Sequence, residues 1–334
     1  MEKTSSSANS EQKTFRQLKH EGMNTPTGVI KDVVIRATSS VVSEINRIIN
    51  GEINEVYDVL IESGDNVIVR INHGEENKLE KEQWAIAQCE KAGVPVPHVF
   101  LVEDIEVDSK ILHICVESKI PGVGLDHVSD ILTPEKTLER SNLLKQVGRA
   151  LSGIHSVPTN GFGVLDKDGN GKFASVAELI SGNLYIRKEK ILPALNDRPN
   201  DLEIVLKAYE ILEREAKNYP SFPACLIHND ISPQHILVDG ENVSGVIDLE
   251  AATGGDPILE FARWDFKYGK EFPLKDILEG YENKEVLFGD FERKLNFWKI
   301  YRSFISLRYC INNNKQEGIN KSIKGIREAS QYFS

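Results

Sequence analysis

Leu226–Asp265, reading LIHNDISPQHILVDGENVSGVIDLEAATGGDPILEFARWD, holds the densest set of chemically committed side chains in the 334-residue chain. Asp230 is followed by a short loop, and His235 by the apolar run Ile236-Leu237-Val238. The turn Asp239-Gly240-Glu241-Asn242 leads into a second, mostly apolar run, Val243 to Ile247, which ends at Asp248. Two short β-rich runs joined by a turn containing Gly predict a hairpin. Such a hairpin brings Asp230, His235 and Asp248 to one of its ends. Phosphoryl transfer needs a carboxylate to accept or orient a hydroxyl proton, and ligands that hold metal against phosphates. This run supplies all three parts.

The order of those parts follows the kinase pattern of a catalytic loop, H-x-D…N, followed by D-F-G. Here His228-Asn229-Asp230 is followed by His235 where Asn is usual, and by Asp248-Leu249-Glu250 where D-F-G is usual. No A-P-E signature follows; Gly255-Asp256-Pro257 comes instead, with Glu260-Phe261-Ala262 after it. That combination resembles the aminoglycoside phosphotransferase family, the small-molecule branch of the kinase fold. The His variant is similar to that of macrolide and 2″-aminoglycoside phosphotransferases. The resemblance implies an α+β, protein-kinase-like two-lobed fold, with a small antiparallel-sheet N-lobe and a larger, mostly helical C-lobe. It implies a tail at 1–22, an N-lobe at 23–117 and a C-lobe at 118–334.

Composition bounds the alternatives. With 40% hydrophobic and 27% charged residues, the chain has material for a substantial core,. It has no apolar run of the roughly 18 to 20 residues that a membrane span needs, and its N-terminus is too polar for a signal peptide, so a cytoplasmic location is expected. Cys89, Cys115, Cys225 and Cys310 are scattered with no C-x-x-C, which argues for reduced core thiols,. A net charge of -11 disfavours nucleic acid and anionic membranes as partners,. Between Asp201 and Lys270 there are 13 Asp and Glu against 6 Lys and Arg, which favours a small, cationic, hydroxyl-bearing substrate.

Before the core run, Met1 to about His20 are polar and read as disordered. Val41, Val42, Ile45, Ile48 and Ile49 recur at helical spacing and stop at Asn50-Gly51, which predicts a helix. Glu55–Ile61 and Asn66–Ile71 read as a hairpin, with Val67, Val69 and Ile71 on one face and Ile68 with Arg70 on the other. Arg70 stands where the phosphate-pairing Lys of V-A-I-K is expected, and a guanidinium pairs phosphates bidentately. Gly51, in the loop before the hairpin, is the candidate for a backbone contact to phosphate. A helix over about Asn77–Ala92 offers Glu82 as the partner of Arg70. Residues His98–Val102 and Ile111–Glu117 complete a sheet of about five strands.

Glu117, Lys119 and Ile120 lead into Pro121-Gly122-Val123-Gly124, a hinge whose backbone binds the purine by resemblance, with Ile247 also lining the nucleotide. Thr133-Pro134 opens a helix that ends at His155, read as a packed residue and not a ligand. Pro158–Phe173 reads as an irregular loop. Asp166 to Gly171 matches half of a calcium loop, but the twelfth position is Ala177 where Glu is required,, so no calcium site is expected. Asp201–Ala216, Phe291–Ile311 and Ile319–Phe333 read as amphipathic helices.

Asp230 is the candidate base or positioner of the attacking hydroxyl. By resemblance His235 and Asp248 hold Mg²⁺, with ATP or GTP as phosphate donor. His228 and Asn229 brace the loop, and Asp256 caps a helix starting at Pro257. The function these assignments imply is transfer of the γ-phosphoryl group to a small-molecule hydroxyl, with an antibiotic of aminoglycoside or macrolide type as the leading acceptor. Two alternatives stand beside it: a housekeeping kinase for choline, a sugar or homoserine, and a non-catalytic nucleotide-binding module.

Overall fold

A computed structural model describes residues 23–49, 54–128 and 131–334. The expected tail at 1–22 and the phosphate contact at Gly51 lie outside the described residues. The described residues form two compact units, one of those within 1–79 and 98–119, the other of those within 80–97 and 120–334. Among the described residues, no helix is long and apolar enough to cross a membrane.

The first unit is an antiparallel five-stranded sheet. Its strands are β1 (Val42–Ile48), β2 (Glu55–Ile61), β3 (Asn66–Asn72), β4 (Val99–Val107) and β5 (Lys110–Ser118), in the order β1-β2-β3-β5-β4. Helix α1 (Thr27–Thr38) covers one face, and its Ile30, Val33 and Val34 join Val59, Val67, Val69, Ile71, Ile114 and Val116 in the core. Each such side chain contributes about 1.5–3 kcal/mol on burial. A one-residue slip of β3 would exchange Val67, Val69 and Ile71 for Ile68 and Arg70 on the inner face. Packing therefore fixes the register that sets Arg70 on the opposite face.

The segment expected to be helical at Val41–Ile49 is strand β1, paired along its length with β2. The reason is local. A bulge between Val42 and Glu44 adds one residue to the strand, so Val42 opposes Ile61 and Ile45 opposes Val59. Val42 and Ile45 thereby face the same core, and an i, i+3 apolar spacing arises from a bulged strand instead of a helical turn.

The second unit begins with α2 (Leu79–Lys91), apart from its first residue. It continues through β6 (Val123–Gly124) to α3 (Thr137–His155), a short hairpin of β7 (Phe162–Leu165) and β8 (Gly171–Phe173), α4 (Val176–Ile191) and α5 (Pro199–Lys217). The hairpin replaces the irregular loop expected there: Asp166 accepts hydrogen bonds from the backbone N–H groups of Asp168 and Asn170 and so forms the turn,. At the start of α3 a 3₁₀ turn over Pro134–Lys136 comes first, and the Thr133 side chain makes no capping bond. In α5 Val205, Tyr209 and Leu212 are buried as expected, but Leu206 is exposed.

Strands β9 (Cys225–Ile227), β10 (Ile236–Asp239), β11 (Asn242–Val246) and β12 (Thr253–Gly255) follow, then helices α6 (Pro257–Tyr268), α7 (Leu274–Gly280), α8 (Phe291–Asn312) and α9 (Gln316–Ser330). Two small sheets run β11-β10-β6 and β8-β7-β12-β9. Helices α3 and α7 approach closely where Gly148 and Gly280 leave room: a Cβ on Gly148 would lie 2.1 Å from the carbonyl oxygen of Ile277. All four cysteines are free and buried.

Candidate active site

Strand β9 delivers the chain to His228-Asn229-Asp230, and the hairpin of β10 and β11 returns it to Asp248. Cα pairing of Ile236 with Val246 and Leu237 with Gly245 puts the two ends of the hairpin side by side. One further backbone bond, from Ile247 N–H to the His235 carbonyl at 3.0 Å, closes that end. Asn229 (φ 67°) and Asp248 (φ 68°) both adopt left-handed backbone. Asn and Asp tolerate that region better than most residues, and such conformations persist only where the surroundings hold them.

Buried partners do hold them. His228 is fully buried, and its Nε2–H donates to the Ile247 carbonyl at 2.9 Å, which leaves Nδ1 to accept from the Asp230 N–H at 3.3 Å. Both bonds require a neutral ring, and burial pushes the His228 pKa down in agreement,. Asn229 N–H donates to both oxygens of Glu260 at 3.2 and 3.1 Å, its side-chain amide donates to the Ala251 carbonyl at 2.9 Å, and its Oδ1 accepts from Arg302 at 2.5 Å. Glu260 is fully buried. Burial alone would raise its pKa, but His155, 3.9 Å away, and the charge of Arg302 hold it down to about 2. The bracing expected of His228 and Asn229 is present, and Asp256 caps α6 by accepting from Ile258 N–H at 2.8 Å.

Asp230, His235 and Asp248 come together: one ligand atom from each lies within 4.8 Å of the others, and all three are partly exposed. His235 Nδ1 donates to the Asp230 carbonyl at 2.9 Å, so in the neutral ring Nε2 carries the lone pair,. That lone pair faces Asp248 Oδ2 at 3.3 Å. A nitrogen and a carboxylate oxygen that converge in this way, with Asp230 alongside, make a donor set that suits a divalent ion. Asp248 offers the oxygen that Mg²⁺ prefers and His235 a softer nitrogen.

The remaining candidates divide between the units. Arg70 is 8% exposed and lies 3.8 Å from Glu117, so it is no solvent-facing edge residue. Glu117 thus offers its side chain to Arg70 within the sheet, and Lys119 pairs with Asp58 at 2.6 Å. Arg70, Glu117 and Lys119 belong to the first unit; Glu82, Ile120 and Ile247 belong to the second with Asp230, His235 and Asp248. Glu82 is buried on α2, and Ile120 packs over Gly245 of β11.

Two site residues escaped the sequence reading. Arg263, from α6, forms an ion pair with Asp230 through Oδ1, and Arg302, from α8, bonds Asn229. Arg302 carried a readable signal, a charge set in the apolar run Phe297, Trp298, Ile300, Tyr301 and Phe304, all buried. A charge in such a stripe demands a partner. Arg263 carried none, because Asp230 is 33 residues away in sequence.

Residues 44–286 match the family model described as the phosphotransferase enzyme family. The chain belongs to that family, and it is a kinase that transfers phosphate to a hydroxyl, with the protein-kinase-like two-lobed α+β fold expected from the sequence. Among solved structures it is similar to a thermostable mutant of aminoglycoside phosphotransferase APH(4)-Ia in ternary complex with AMP-PNP and hygromycin B. That similarity has 18% identity over 90% of this chain and 98% of the other, with a TM-score of 0.71. The structure of APH(2")-IIa with streptomycin and ATP gives 16% identity, coverage of 92% and 99%, and a TM-score of 0.59. A putative fructosamine-3-kinase from Thermobifida fusca gives 16% identity, coverage of 90% and 98%, and a TM-score of 0.61. No curated protein sequence matches.

Proposed function

We propose that this small-molecule kinase moves the γ-phosphoryl group of ATP or GTP to its acceptor with Asp230 orienting the attacking hydroxyl and receiving its proton. The convergence of Asp230, His235 and Asp248 within 4.8 Å carries this reading. In a loose phosphoryl-transfer transition state the protein contributes chiefly position and charge, and the bonds from Glu260 and Arg302 to Asn229 fix the position. His235 and Asp248 would hold Mg²⁺, which supplies charge neutralisation on the phosphates. Arg70, supported by Glu82, would pair phosphates, and Glu117, Lys119, Ile120, Ile247 and Gly51 would border the nucleotide. Residues 23–117 and 118–334 would act as the nucleotide-binding and acceptor-binding lobes, in the cytoplasm.

The likeness to APH(4)-Ia bound to hygromycin B and to APH(2")-IIa bound to streptomycin supports an antibiotic of aminoglycoside type as acceptor, with the macrolide type kept beside it by His235 in the catalytic loop. A second reading, a metabolite acceptor from the set of choline, a sugar or homoserine, is favoured for its homoserine member by Arg263 against Asp230, since homoserine alone of the three bears a carboxylate; choline suits that cation poorly. The non-catalytic alternative is set aside, because the chain belongs to an enzyme family. Release of ADP or GDP in the presence of Mg²⁺ and a panel of antibiotic and metabolite alcohols tests the reading. Asp230→Asn should retain nucleotide binding and lose about 10²–10⁴ in turnover; wild-type turnover in that variant refutes it.

A further inference from the structure

Around the inner end of α6 the sign of charge reverses relative to the acidic chain as a whole. Arg263 and Lys267 stand one turn apart on α6 and therefore share a face,. Arg302 comes from α8, and Lys321 from α9; the charges of Arg263, Arg302 and Lys321 all act on Lys267. Of the carboxylates beside them, Asp230 pairs with Arg263, and Glu260 is committed to the Asn229 N–H. Asp265, on the same helix, is already paired with Lys299 at 2.5 Å.

The excess has visible effects. Arg263 and Arg302 are 8% and 7% exposed, and in each the buried Nε–H lacks a hydrogen-bond partner among the described residues. Lys267 is exposed by area, yet desolvation by the protein around its ammonium, then the charge of Arg263, pulls its pKa down to about 8, even with Asp230 opposing. Arg302 is pulled down to about 10 by burial and by Arg263. Buried cations of one sign are costly until an anion joins them.

The two oxygens of Asp230 tell which anion that is. Oδ2 lies 3.9 Å from His235 Nδ1, whereas Oδ1 takes Arg263. Arg263 thus borders the edge of the carboxylate away from His235, the side left to an acceptor if His235 and Asp248 hold the metal. We propose that the acceptor alcohol bears an oxyanion, a carboxylate or a phosphate, which Arg263, Lys267 and Arg302 engage while its hydroxyl meets Asp230. This rests on the reading of Asp230 as the residue facing the acceptor, and it follows the metabolite reading, because an aminoglycoside or macrolide carries cationic amines and no oxyanion. Arg263 exchanges Asp230 for the incoming anion, and the freed carboxylate turns to the hydroxyl.

The test is calorimetric titration, at saturating Mg-ADP, of glycerate, glycerol phosphate, glycerol and ethanolamine into the wild type and a Lys267→Gln/Lys321→Gln variant, both positions being exposed. Glycerate and glycerol phosphate should each bind about tenfold or more tighter than the other two, as a charge-assisted contact would give, and the variant should lose that preference. Equal binding of all four probes, a preference for ethanolamine, or oxyanion binding unchanged in the variant overturns the proposal. So does a variant that weakens Mg-ADP instead, which would assign the cations to the nucleotide. Turnover surviving Asp230→Asn refutes the base and not the anion site; lost discrimination with Asp230-dependent turnover refutes only the anion site.

Discussion

Glu260→Gln probes the support of the catalytic loop, because one buried carboxylate receives the Asn229 N–H and faces His155 and Arg302. Holding that carboxyl at about 2 against its ordinary 4.5 corresponds to about 3 kcal/mol of stability at neutral pH, at about 1.4 kcal/mol per tenfold change in proton affinity. The pKa is lowered on folding, so this contribution is present above pH 4.5 and is lost as pH falls towards 2. The variant, which has no proton to gain, should therefore be about 3 kcal/mol less stable than wild type at pH 7, with the gap closing below pH 4. Urea unfolding followed by tryptophan fluorescence measures this directly, since Trp84, Trp264 and Trp298 all lie in the second unit. Turnover should fall with stability, because Asn229 in left-handed backbone would lose its anchor ahead of Asp230. A gap under about 1 kcal/mol at pH 7, or one that does not depend on pH, would refute the reasoning.

Asp248→Ala should abolish Mg²⁺-dependent turnover while leaving the fold intact, measured by ADP release across a Mg²⁺ titration and by circular dichroism. His235→Asn, which substitutes an amide oxygen for the ring nitrogen, should retain activity within about tenfold, whereas His235→Ala should lose about 10² or more, in steady-state assays. Gly148→Ala should destabilise the protein by about 1–3 kcal/mol or more, read as a lowered Tm, because the added methyl would lie 2.1 Å from the Ile277 oxygen and 2.8 Å from the Tyr281 nitrogen.

The hairpin and its three site residues were legible because their signal is local: two β-rich runs, a Gly turn and fixed spacing place Asp230, His235 and Asp248 without knowledge of the rest. Strands β2, β3 and β5 were legible for the same reason, through period-two alternation. β1 was not, since a bulge changes the period of a strand and mimics a helix until its partner is known. The hairpin of β7 and β8 depends on a turn made by one side chain, Asp166, bonding its own backbone. Arg263 and Arg302 were missed because their meaning is tertiary: helices far along the chain carry them to Asp230 and Asn229. The acidic balance counted over Asp201–Lys270 could not show that Arg263 stands against Asp230, because a count along the chain carries no position in space.

Beyond the bond within the loop from Asp230 N–H to His228, the bonds that fix Asn229 and His228 come from Glu260, Arg302 and the carbonyls of Ile247 and Ala251, while Lys267 and Lys321 are exposed. The two lysines can therefore change without touching those bonds, whereas Arg302 cannot. Charge reversal at the two lysines is a route to redirecting the enzyme towards other alcohols, and natural drift at those positions can do the same without disturbing the strained turn.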